Sequence, residues 1–213
     1  MSTLRFHVSV SLDGYVAGPD QSEENPLGVG GEGLHDWVVP LEAWRTPHGL
    51  EGGEVNASTA VVEEVQTNVG ATVMGRNMFG GGPGPWSEDP PWNGWWGDNP
   101  PFHTPVFVLT RHPREPLEME GGTTFFFVTE GIESALERAM EAADGRDVML
   151  GGGAGVVQQY LAAGLVDEFE LHIVPTLLRG GERLLENVGG LEIQQVRAIE
   201  APGVTHIKYR VVR

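Results

Sequence analysis

Stretches typical of β-strands alternate with stretches typical of helices along most of this chain, and that alternation limits the folds it can adopt. Strand patterns of alternating or β-branched apolar residues occupy residues 4–12, 71–74, 106–110, 123–128, 148–150 and 168–174. Helical spacing of apolar residues occupies residues 56–69, 132–143 and 155–163. A strand, a helix and a second strand in this order form a parallel unit with the helix on one face of the sheet. The predicted fold class is therefore α/β.

The chain ends in two further strand patterns, 192–199 and 204–212, on either side of the turn signal Pro202-Gly203. Two strands joined by so short a connection pair antiparallel. We therefore predict one mixed, mostly parallel sheet, with helices on its faces and a C-terminal antiparallel hairpin. The length of 213 residues suits a single domain that spans residues 1–213.

Charge and cysteine content exclude several classes of function. The chain has 30 acidic and 13 basic side chains, a formal net charge of −17 that repels nucleic-acid backbones and anionic membrane surfaces. The absence of cysteine excludes disulfides, thiolate zinc sites and cysteine nucleophiles. No signal-peptide pattern opens the sequence, and no apolar run approaches the roughly 20 residues of a membrane span. We expect a cytoplasmic protein that acts on a small molecule and binds neither nucleic acid nor membrane.

The segment at about 80–105 interrupts the regular pattern. It contains seven prolines and four tryptophans, a composition that forbids a regular helix or strand. A disordered linker seldom contains so many large aromatic residues, because these residues bury the most surface when they pack. We predict an ordered loop insertion whose indoles, including Trp86 and Trp92, pack on the domain or on a partner.

Two glycine clusters are candidates for a phosphate-binding turn. Residues 28–33 match the letters G-x-G-x-x-G, but a polar loop precedes them and Pro40 interrupts the segment after them, so we interpret them as a plain loop. Residues 151–155 follow a predicted strand and begin a predicted helix, which is the context in which backbone N–H groups bind an anion. A tight turn without a ligand is the alternative for this second cluster.

Two arginines follow predicted strands, and arginine suits phosphate because its planar guanidinium donates two hydrogen bonds at once. Arg76 ends the strand at 71–74, and Arg111 ends the strand at 106–110. Ligands of open α/β sheets collect at the carboxyl ends of strands, so the two arginines and the 151–155 turn predict a shared nucleotide site. Ordinary surface charges are the alternative.

The acidic and histidine residues give weaker signals. Asp36 lies between His35 and Trp37, and a carboxyl group against an indole would have a raised pKa and could donate a proton near neutrality. A helix-capping or solvated aspartate is the alternative, and Asp13 is most simply a turn residue. His7, His172 and His206 lie on separate predicted strands without metal-ligand spacing, so we interpret them as sheet residues and expect no metal site.

The order of these segments resembles the dihydrofolate reductase family and, more closely, the reductase domain of riboflavin biosynthesis, the C-terminal half of a bifunctional deaminase-reductase. The segments that carry the resemblance are 10–17 (VSLDGYVA), 73–79 (VMGRNMF), 106–111 (VFVLTR), 148–155 (VMLGGGAG) and 164–180 (GLVDEFELHIVPTLLRG). The resemblance implies a dihydrofolate reductase-like three-layer α/β/α fold. The chain departs from the family in lacking the cysteine ligands of the zinc deaminase and in carrying the insertion at about 80–105.

The resemblance also implies an NADPH site. Gly75 and Arg76 would lead into a helix beside the pyrophosphate, which the 151–155 turn would cradle. Thr110 and Arg111 would flank the 2′-phosphate. The cofactor residues implied are Val16, Ala17, Gly75, Arg76, Asn77, Met78, Thr110, Arg111, Gly151, Gly152, Gly153, Ala154, Gly155 and Val156.

For the substrate we predict contacts from Asp13, Trp37, Trp86 and Trp92, with Asp36 as the catalytic proton donor. The function implied is an NADPH-dependent reductase that transfers hydride to a C=N or C=O group of a pyrimidine- or pteridine-like substrate, as in the reduction of 5-amino-6-(5-phosphoribosylamino)uracil. Two alternatives stay open: a non-catalytic module that binds a nucleotide or ligand, and a true dihydrofolate reductase. Relatives of this kind commonly dimerise, so a homodimer is expected.

Overall fold

A computed structural model describes residues 2–87, 89 and 91–212 of the protein. The strands in chain order are β1 (Leu4–Ser11), β2 (Tyr15–Ala17), β3 (Val69–Gly75), β4 (Pro105–Leu109), β5 (Leu117–Glu118), β6 (Thr124–Val128), β7 (Asp147–Gly152), β8 (Glu168–Val174), β9 (Glu182–Arg183), β10 (Ile193–Ala201) and β11 (Val204–Val211). The α-helices are α1 (Glu42–Arg45), α2 (Ala57–Gln66), α3 (Arg76–Phe79), α4 (Ile132–Ala143) and α5 (Ala154–Ala162).

The chain folds into two compact units. The first contains the residues up to Phe6 together with Asn68–Leu165, and the second contains His7–Thr67 together with the residues from Val166 onward. The division falls within β1, so this strand contributes its first residues to one unit and its last residues to the other.

The first unit is built on parallel strands in the order β1-β7-β3-β4-β6, and the short β5 runs antiparallel at its end. Helix α4 packs on β3, β4 and β7. The face it buries consists of Ala135, Ala139 and Ala143, whose small side chains allow the helix to approach the sheet closely. Because β7, β3 and β4 are neighbouring parallel strands, the turns that follow them lie along one edge of the sheet.

The second unit is mainly antiparallel, with strands in the order β10-β11-β8-β1 and a separate β2-β9 pair. Helix α2 begins with a capping box. The side chain of Asn56 accepts a hydrogen bond from the N–H of Ser58 at 2.8 Å, and the N–H of Asn56 donates to the hydroxyl of Thr59 at 3.0 Å. The core of this unit includes Leu34, Trp37, Val38, Leu41, Val62, Val174 and Val204.

The predicted fold class is confirmed, since the protein has a mixed, mostly parallel sheet with the C-terminal hairpin β10-β11. The three helices predicted from residue spacing are α2, α4 and α5, and α3 begins at Arg76, where the resemblance implied a helix. The sequence did not reveal the short β2, β5 and β9 or the single-turn α1. A single domain over residues 1–213 stays a prediction beside the two units observed. Within the described residues, every helix is too short or too polar to cross a bilayer.

Candidate active site

The turn between β7 and α5 is the most open backbone in the candidate site. Strand β7 ends at Gly152, the Gly152-Gly153 peptide bond is cis, and α5 begins at Ala154. The N–H groups of Val156 and Val157 both donate to the carbonyl oxygen of Gly153, so the amides before them precede the hydrogen-bonding pattern of the helix. A Cβ atom built on Gly153 or Gly155 would meet nothing within 4 Å. The backbone of this turn therefore faces open space at the positive end of a helix dipole.

The end of β3 lies directly against this turn. Met74 pairs with Gly152 across the two parallel strands. A Cβ atom on Gly75 would approach Val156 Cγ2 to 2.7 Å, and one on Gly151 would approach the sulfur of Met78 to 3.2 Å. The absence of side chains at these two glycines therefore lets the strand ends and the start of α5 approach closely.

Strand β4 brings the third group of predicted cofactor residues to the same edge. Leu109 pairs with Gly75, so Thr110 and Arg111 follow β4 beside the end of β3. The N–H of Thr110 donates to the carbonyl oxygen of Val128, which fixes the chain at this point. The structure thus brings the predicted cofactor residues of the first unit together along one edge: Gly75, Arg76, Asn77, Met78, Thr110, Arg111, Gly151, Gly152, Gly153, Ala154, Gly155 and Val156.

Three arginines lie in this part of the first unit, and they differ in the hydrogen bonds that their side chains make. Arg76 donates to the carbonyl oxygens of Gly80 and Gly81 at 3.0 and 2.9 Å. Arg114 donates to the carbonyl oxygen of Trp92 and to the side chain of Asn93. Arg111 is exposed and makes no hydrogen bond or ion pair within the described part of the chain.

No described carboxylate forms an ion pair with any of these three arginines, although the chain as a whole has a net charge of −17. Burial lowers the pKa of Arg76, as does the neighbouring charge of Arg114. One nitrogen of Arg76, Nη1, is buried and has no hydrogen-bond partner among the residues that the structure describes. Uncompensated positive charge of this kind is typical of a site that binds an anion.

The Trp/Pro-rich segment packs on the first unit, as predicted for an ordered loop. The indole N–H groups of Trp86 and Trp92 donate to the carbonyl oxygens of His112 and Phe79, both at 2.8 Å. The ring of Trp86 meets Phe79 and Phe127 edge-on, at centroid distances of 5.6 and 4.9 Å. These contacts join the loop to the core formed by β3, β4 and β6.

Trp86 is also the platform on which Arg76 rests. The guanidinium carbon of Arg76 lies 3.2 Å from the centroid of the indole, the geometry of a cation–π contact. That contact covers one face of Trp86, which limits the predicted stacking of this tryptophan on a planar substrate. Substrate binding by Trp86 and Trp92 stays a prediction.

In the second unit, Asp13 holds two loops together. Its carboxylate accepts hydrogen bonds from the hydroxyl of Ser11 at 2.6 Å and from the N–H groups of Leu178 and Arg179 at 3.1 and 2.8 Å. These hydrogen bonds lower the pKa of Asp13, with the bond from Ser11 as the largest cause. The contacts support the simpler interpretation of Asp13 as a turn residue, and its predicted contact with substrate is untested.

Val16 and Ala17 lie on β2, which pairs with β9 within the second unit. A cavity of about 330 Å³ lies in the same unit, at the ends of β1 and β8 and beside the 183–186 segment. Its walls include Val10, Leu12, Ile173, Arg183, Leu185 and Glu186. No sequence pattern indicates this cavity, because its lining comes from three separate segments of the chain.

Asp36 and Trp37 are neighbours in sequence but have different environments. Asp36 is exposed, whereas Trp37 is buried and donates from its indole nitrogen to the hydroxyl of Ser9 at 3.0 Å. The predicted position of the carboxyl group against the indole of Trp37 is therefore wrong for Asp36. The role of Asp36 as the catalytic proton donor stays a prediction, and it now depends on the exposure of this carboxyl group to solvent.

Among the described residues, no cluster of histidine, aspartate and glutamate has the geometry of a metal site. His7, His172 and His206 are sheet residues, as predicted, but they also contact one another in the second unit. The sequence contained a partial signal for this contact, since all three lie on predicted strands; it did not indicate which strands pair.

Comparison with known proteins decides the family. A family model described as the RibD C-terminal domain matches residues 2–208. The chain belongs to the RibD C-terminal domain family. This membership supports a reductase enzyme and suggests the riboflavin pathway. No curated protein sequence matches the chain.

Solved structures with a similar fold include RibD-type proteins and a dihydrofolate reductase. A protein assigned to riboflavin biosynthesis from Shewanella sp. PV-4 is 21% identical, with a TM-score of 0.61 and coverage of 99% of both chains. The riboflavin biosynthesis reductase Rib7 of Saccharomyces cerevisiae is 13% identical, with a TM-score of 0.54 and coverage of 100% of this chain and 89% of that one. The dihydrofolate reductase of Enterococcus faecalis, complexed with NADP(H), is 13% identical, with a TM-score of 0.53 and coverage of 99% and 97%. At these identities the likeness shows the fold.

The contact between Trp86 and Arg76 gives a first prediction for this RibD-family protein. Replacing Trp86 with alanine removes the indole platform, its edge contacts and its hydrogen bond to His112. Because the side chain is only half buried, we expect the free energy of unfolding to fall by about 2 to 3 kcal/mol. Urea unfolding measures this change. Ser87→Ala, an exposed neighbour, is the control, and an equal loss in both variants would contradict the packing role of Trp86.

Proposed function

We propose that the protein is an NADPH-dependent reductase that transfers hydride to a C=N or C=O carbon of a pyrimidine- or pteridine-like heterocycle. The observation that supports this most directly is that Arg76, Arg111 and Arg114 form no ion pair with a described carboxylate, while Arg76 and Arg111 follow strands that end near an open glycine turn. In a chain with a net charge of −17, such a group favours a multiply charged anion such as a dinucleotide phosphate. Family membership favours the reduction of 5-amino-6-(5-phosphoribosylamino)uracil, a reaction named for a structurally similar RibD protein of Thermotoga maritima.

The chain corresponds to only part of the Thermotoga maritima protein. It spans 57% of that protein, which is 13% identical and has a TM-score of 0.56. The name of that protein covers both a deaminase and a reductase. Because this chain has no cysteine, it contains no zinc deaminase of the cysteine-ligated kind. We therefore propose the reductase step alone.

The residues of the first unit suit the parts of NADPH in different ways. The open backbone at Gly153 and Gly155, at the start of α5, suits the pyrophosphate, because helix N-termini attract phosphate groups. Arg111 is exposed and unengaged among the described residues, so it can present both guanidinium nitrogens to the 2′-phosphate. Arg76 is already bonded to Gly80 and Gly81, so it contributes positive charge more than a bidentate contact.

When bound, NADPH supplies the hydride for the reduction. The tasks left to the chain are to orient the cofactor, to keep water from the reacting carbon and to provide one proton for the heteroatom. The backbone of the glycine turn and Arg111 would orient the cofactor. Asp36, whose carboxyl group is exposed, is the residue that we propose as the source of the proton.

Replacing Arg111 with alanine tests the cofactor site. If Arg111 binds the 2′-phosphate, the Kd for NADPH should rise about 10- to 100-fold, because a charge-assisted hydrogen bond contributes roughly 1.5 to 3 kcal/mol. The Kd for NADH should stay nearly unchanged, since that cofactor lacks the 2′-phosphate. Isothermal titration calorimetry with both cofactors measures the two constants.

The matched control is Arg210→Ala, an exposed arginine on β11 in the second unit, which should bind both cofactors like the wild type. Equal weakening of NADPH and NADH in Arg111→Ala would refute the 2′-phosphate contact. Failure of the wild type to bind either cofactor at millimolar concentration would refute the reductase proposal as a whole.

Asp36→Asn tests the proton donor. The amide keeps the size of the side chain but cannot donate the proton, so kcat should fall about 100-fold or more while the Kd for NADPH is unchanged. The measurement is NADPH oxidation with the ribosylaminopyrimidine substrate. An unchanged kcat would remove Asp36 from the mechanism.

One observation favours a second candidate function, a binding module without catalysis. Asp13 is occupied by three hydrogen bonds and Asp36 lies at the surface, so neither has the buried environment that tunes many catalytic acids. NADPH binding without turnover of any pyrimidine or pteridine acceptor would support this candidate. Inhibition by methotrexate would instead indicate a dihydrofolate reductase.

We also propose a homodimer, supported by the cavity in the second unit. Leu12, Leu177 and Leu185 are large apolar residues left exposed, and Leu12 and Leu185 line that cavity. Arg183 and Glu186 form an ion pair on the same rim, and a twofold axis can set two such pairs against each other. Light scattering should give twice the chain mass for the wild type and a monomer for Leu185→Asp; a wild-type monomer would contradict the proposal.

A cytoplasmic location stays a prediction from the cysteine-free composition.

A further inference from the structure

Three histidines and one serine form a continuous hydrogen-bonded chain inside the second unit. His7 Nδ1 lies 3.2 Å from His172 Nε2, and His172 Nδ1 lies 2.9 Å from His206 Nδ1. His206 Nε2 lies 2.9 Å from the hydroxyl oxygen of Ser58. His172, His206 and Ser58 are buried, and His7 is half buried. This histidine chain connects β1, β8 and β11 to the first turn of α2.

Each contact in the histidine chain holds one proton. Two imidazole nitrogens that face each other need one N–H and one lone pair, so each of the two histidine–histidine contacts holds a single proton. The hydroxyl of Ser58 has no acceptor other than His206 in the described part of the chain. A buried hydroxyl hydrogen needs an acceptor, so we infer that Ser58 donates to His206 Nε2. His206 then donates from Nδ1 to His172, and His172 donates from Nε2 to His7.

The histidine chain also supports Trp37. The indole of Trp37 meets the ring of His172 at a tilt and that of His206 edge-on, at centroid distances of 4.8 and 4.9 Å, and it donates to Ser9 on β1. Trp37 belongs to a core cluster that also contains Leu34, Leu41 and, from α2, Val62. Any change in the histidine rings therefore acts on both α2 and the segment that carries Asp36 and Trp37.

The carboxylates described on α2 and β8 near His172 and His206 are already paired with cations. Arg197 on β10 binds Glu64 of α2 and Glu170 of β8, and Lys208 on β11 binds Glu64 and Glu168. The turn before Trp37 adds His35, a further imidazole, and the exposed Asp36. The titratable and charged groups of the surrounding elements are His7, His35, Asp36, Glu64, Glu168, Glu170, Arg197 and Lys208.

We propose that the histidine chain is an acid-sensitive lock on α2 and on the segment that carries Trp37. An added proton either places two N–H groups opposite each other at a histidine–histidine contact or takes the lone pair of His206 Nε2. In the second case the buried hydroxyl hydrogen of Ser58 loses the acceptor described for it. A proton on His206 also adds positive charge near Arg197. The proposal concerns the second unit alone and does not depend on the reductase activity.

The lowered pKa values of His172 and His206 give the direction in which the stability of the lock changes with pH. Burial lowers the pKa of His206 to about 4, with a smaller contribution from Arg197. Burial, followed by the charges of His7, His206, His35 and Arg197, lowers the pKa of His172 well below its usual value. At His206 the unfolded chain binds a proton below a pH of about 6.5, whereas the folded chain resists it down to about pH 4, and the lowered pKa of His172 acts in the same direction. The lock is therefore intact above pH 6.5 and loses stability as the pH falls from 6.5 towards 4.

Nitrogen-15 NMR of the histidine side chains in the full-length protein tests the arrangement of protons directly. At neutral pH we expect His172 as the Nε2–H tautomer, His206 as the Nδ1–H tautomer, and both rings neutral. Ser58→Ala removes the donor to His206 and should let that ring change its tautomer. A wild-type spectrum in which His172 or His206 is charged above pH 6 would overturn the proposal.

Hydrogen exchange tests the lock itself. After correction for intrinsic rates, amides of α2 should exchange about tenfold faster at pH 5 than at pH 7, because opening becomes more frequent. His206→Gln removes the titrating ring but keeps a donor and an acceptor, so this acceleration should shrink to less than about twofold. His48→Gln, an exposed histidine in the same unit, is the control and should behave like the wild type.

The ion pair of Glu170 needs a separate variant, because burial raises the pKa of this carboxyl group and it too takes up a proton as the pH falls. Its raised pKa by itself favours the folded state at low pH, opposite to the histidines, but protonation would also weaken its pair with Arg197. In Glu170→Gln the acceleration of α2 exchange should persist if the histidines cause it. If Glu170→Gln abolishes the acceleration and His206→Gln does not, the lock lies in the Arg197 pair and the proposal is wrong. If His206→Gln does not fold, the tautomers in the wild type and in Ser58→Ala still decide.

Discussion

The candidate active site depends on the absence of a side chain at Gly75. Strand β3 ends there, and a single Cβ atom would come within 2.7 Å of Val156 at the start of α5. Because Gly75 has none, the ends of β3 and β7 and the first turn of α5 lie against one another. Strand β4 then adds Thr110 and Arg111 through its pairing with β3. Thus one close backbone approach brings together residues that are about 80 positions apart in the sequence.

The features of the fold that were predicted correctly are those that follow from the order of strands and turns in the sequence. Parallel strands with glycine-rich ends must place those ends on one edge, so the grouping of Gly75, Arg111 and Gly151 followed from order alone. The features that were predicted wrongly are those that depend on which way a side chain points, and so on whether it is exposed or buried. Asp36 and Trp37 are adjacent, but the turn exposes one and buries the other. The histidine contacts were also beyond prediction, because they depend on the register between β8 and β11.

The Trp/Pro-rich segment shows how an insertion can become part of a site without disturbing the sheet. Its indoles cover the edge of the core at Phe79 and Phe127, and its backbone carbonyls accept hydrogen bonds from Arg76 and Arg114. Carbonyl groups and an indole face hold these two arginines without neutralising them. Carboxylates would have fixed the same side chains but would have cancelled their charge. The segment thus preserves positive charge in a strongly acidic protein.

That local positive charge has a kinetic consequence. At distances beyond the Debye length of about 8 to 10 Å, an approaching anion experiences mainly the net charge of −17, which repels it. Within that distance, Arg111 and the start of α5 attract it. Added salt therefore has opposite effects on the association and on the bound complex. It speeds association by screening the repulsion, and it shortens the residence time of the bound anion by screening the attraction. Proteins that steer anions with a uniformly positive surface lose both rate and affinity in salt, and this chain should not.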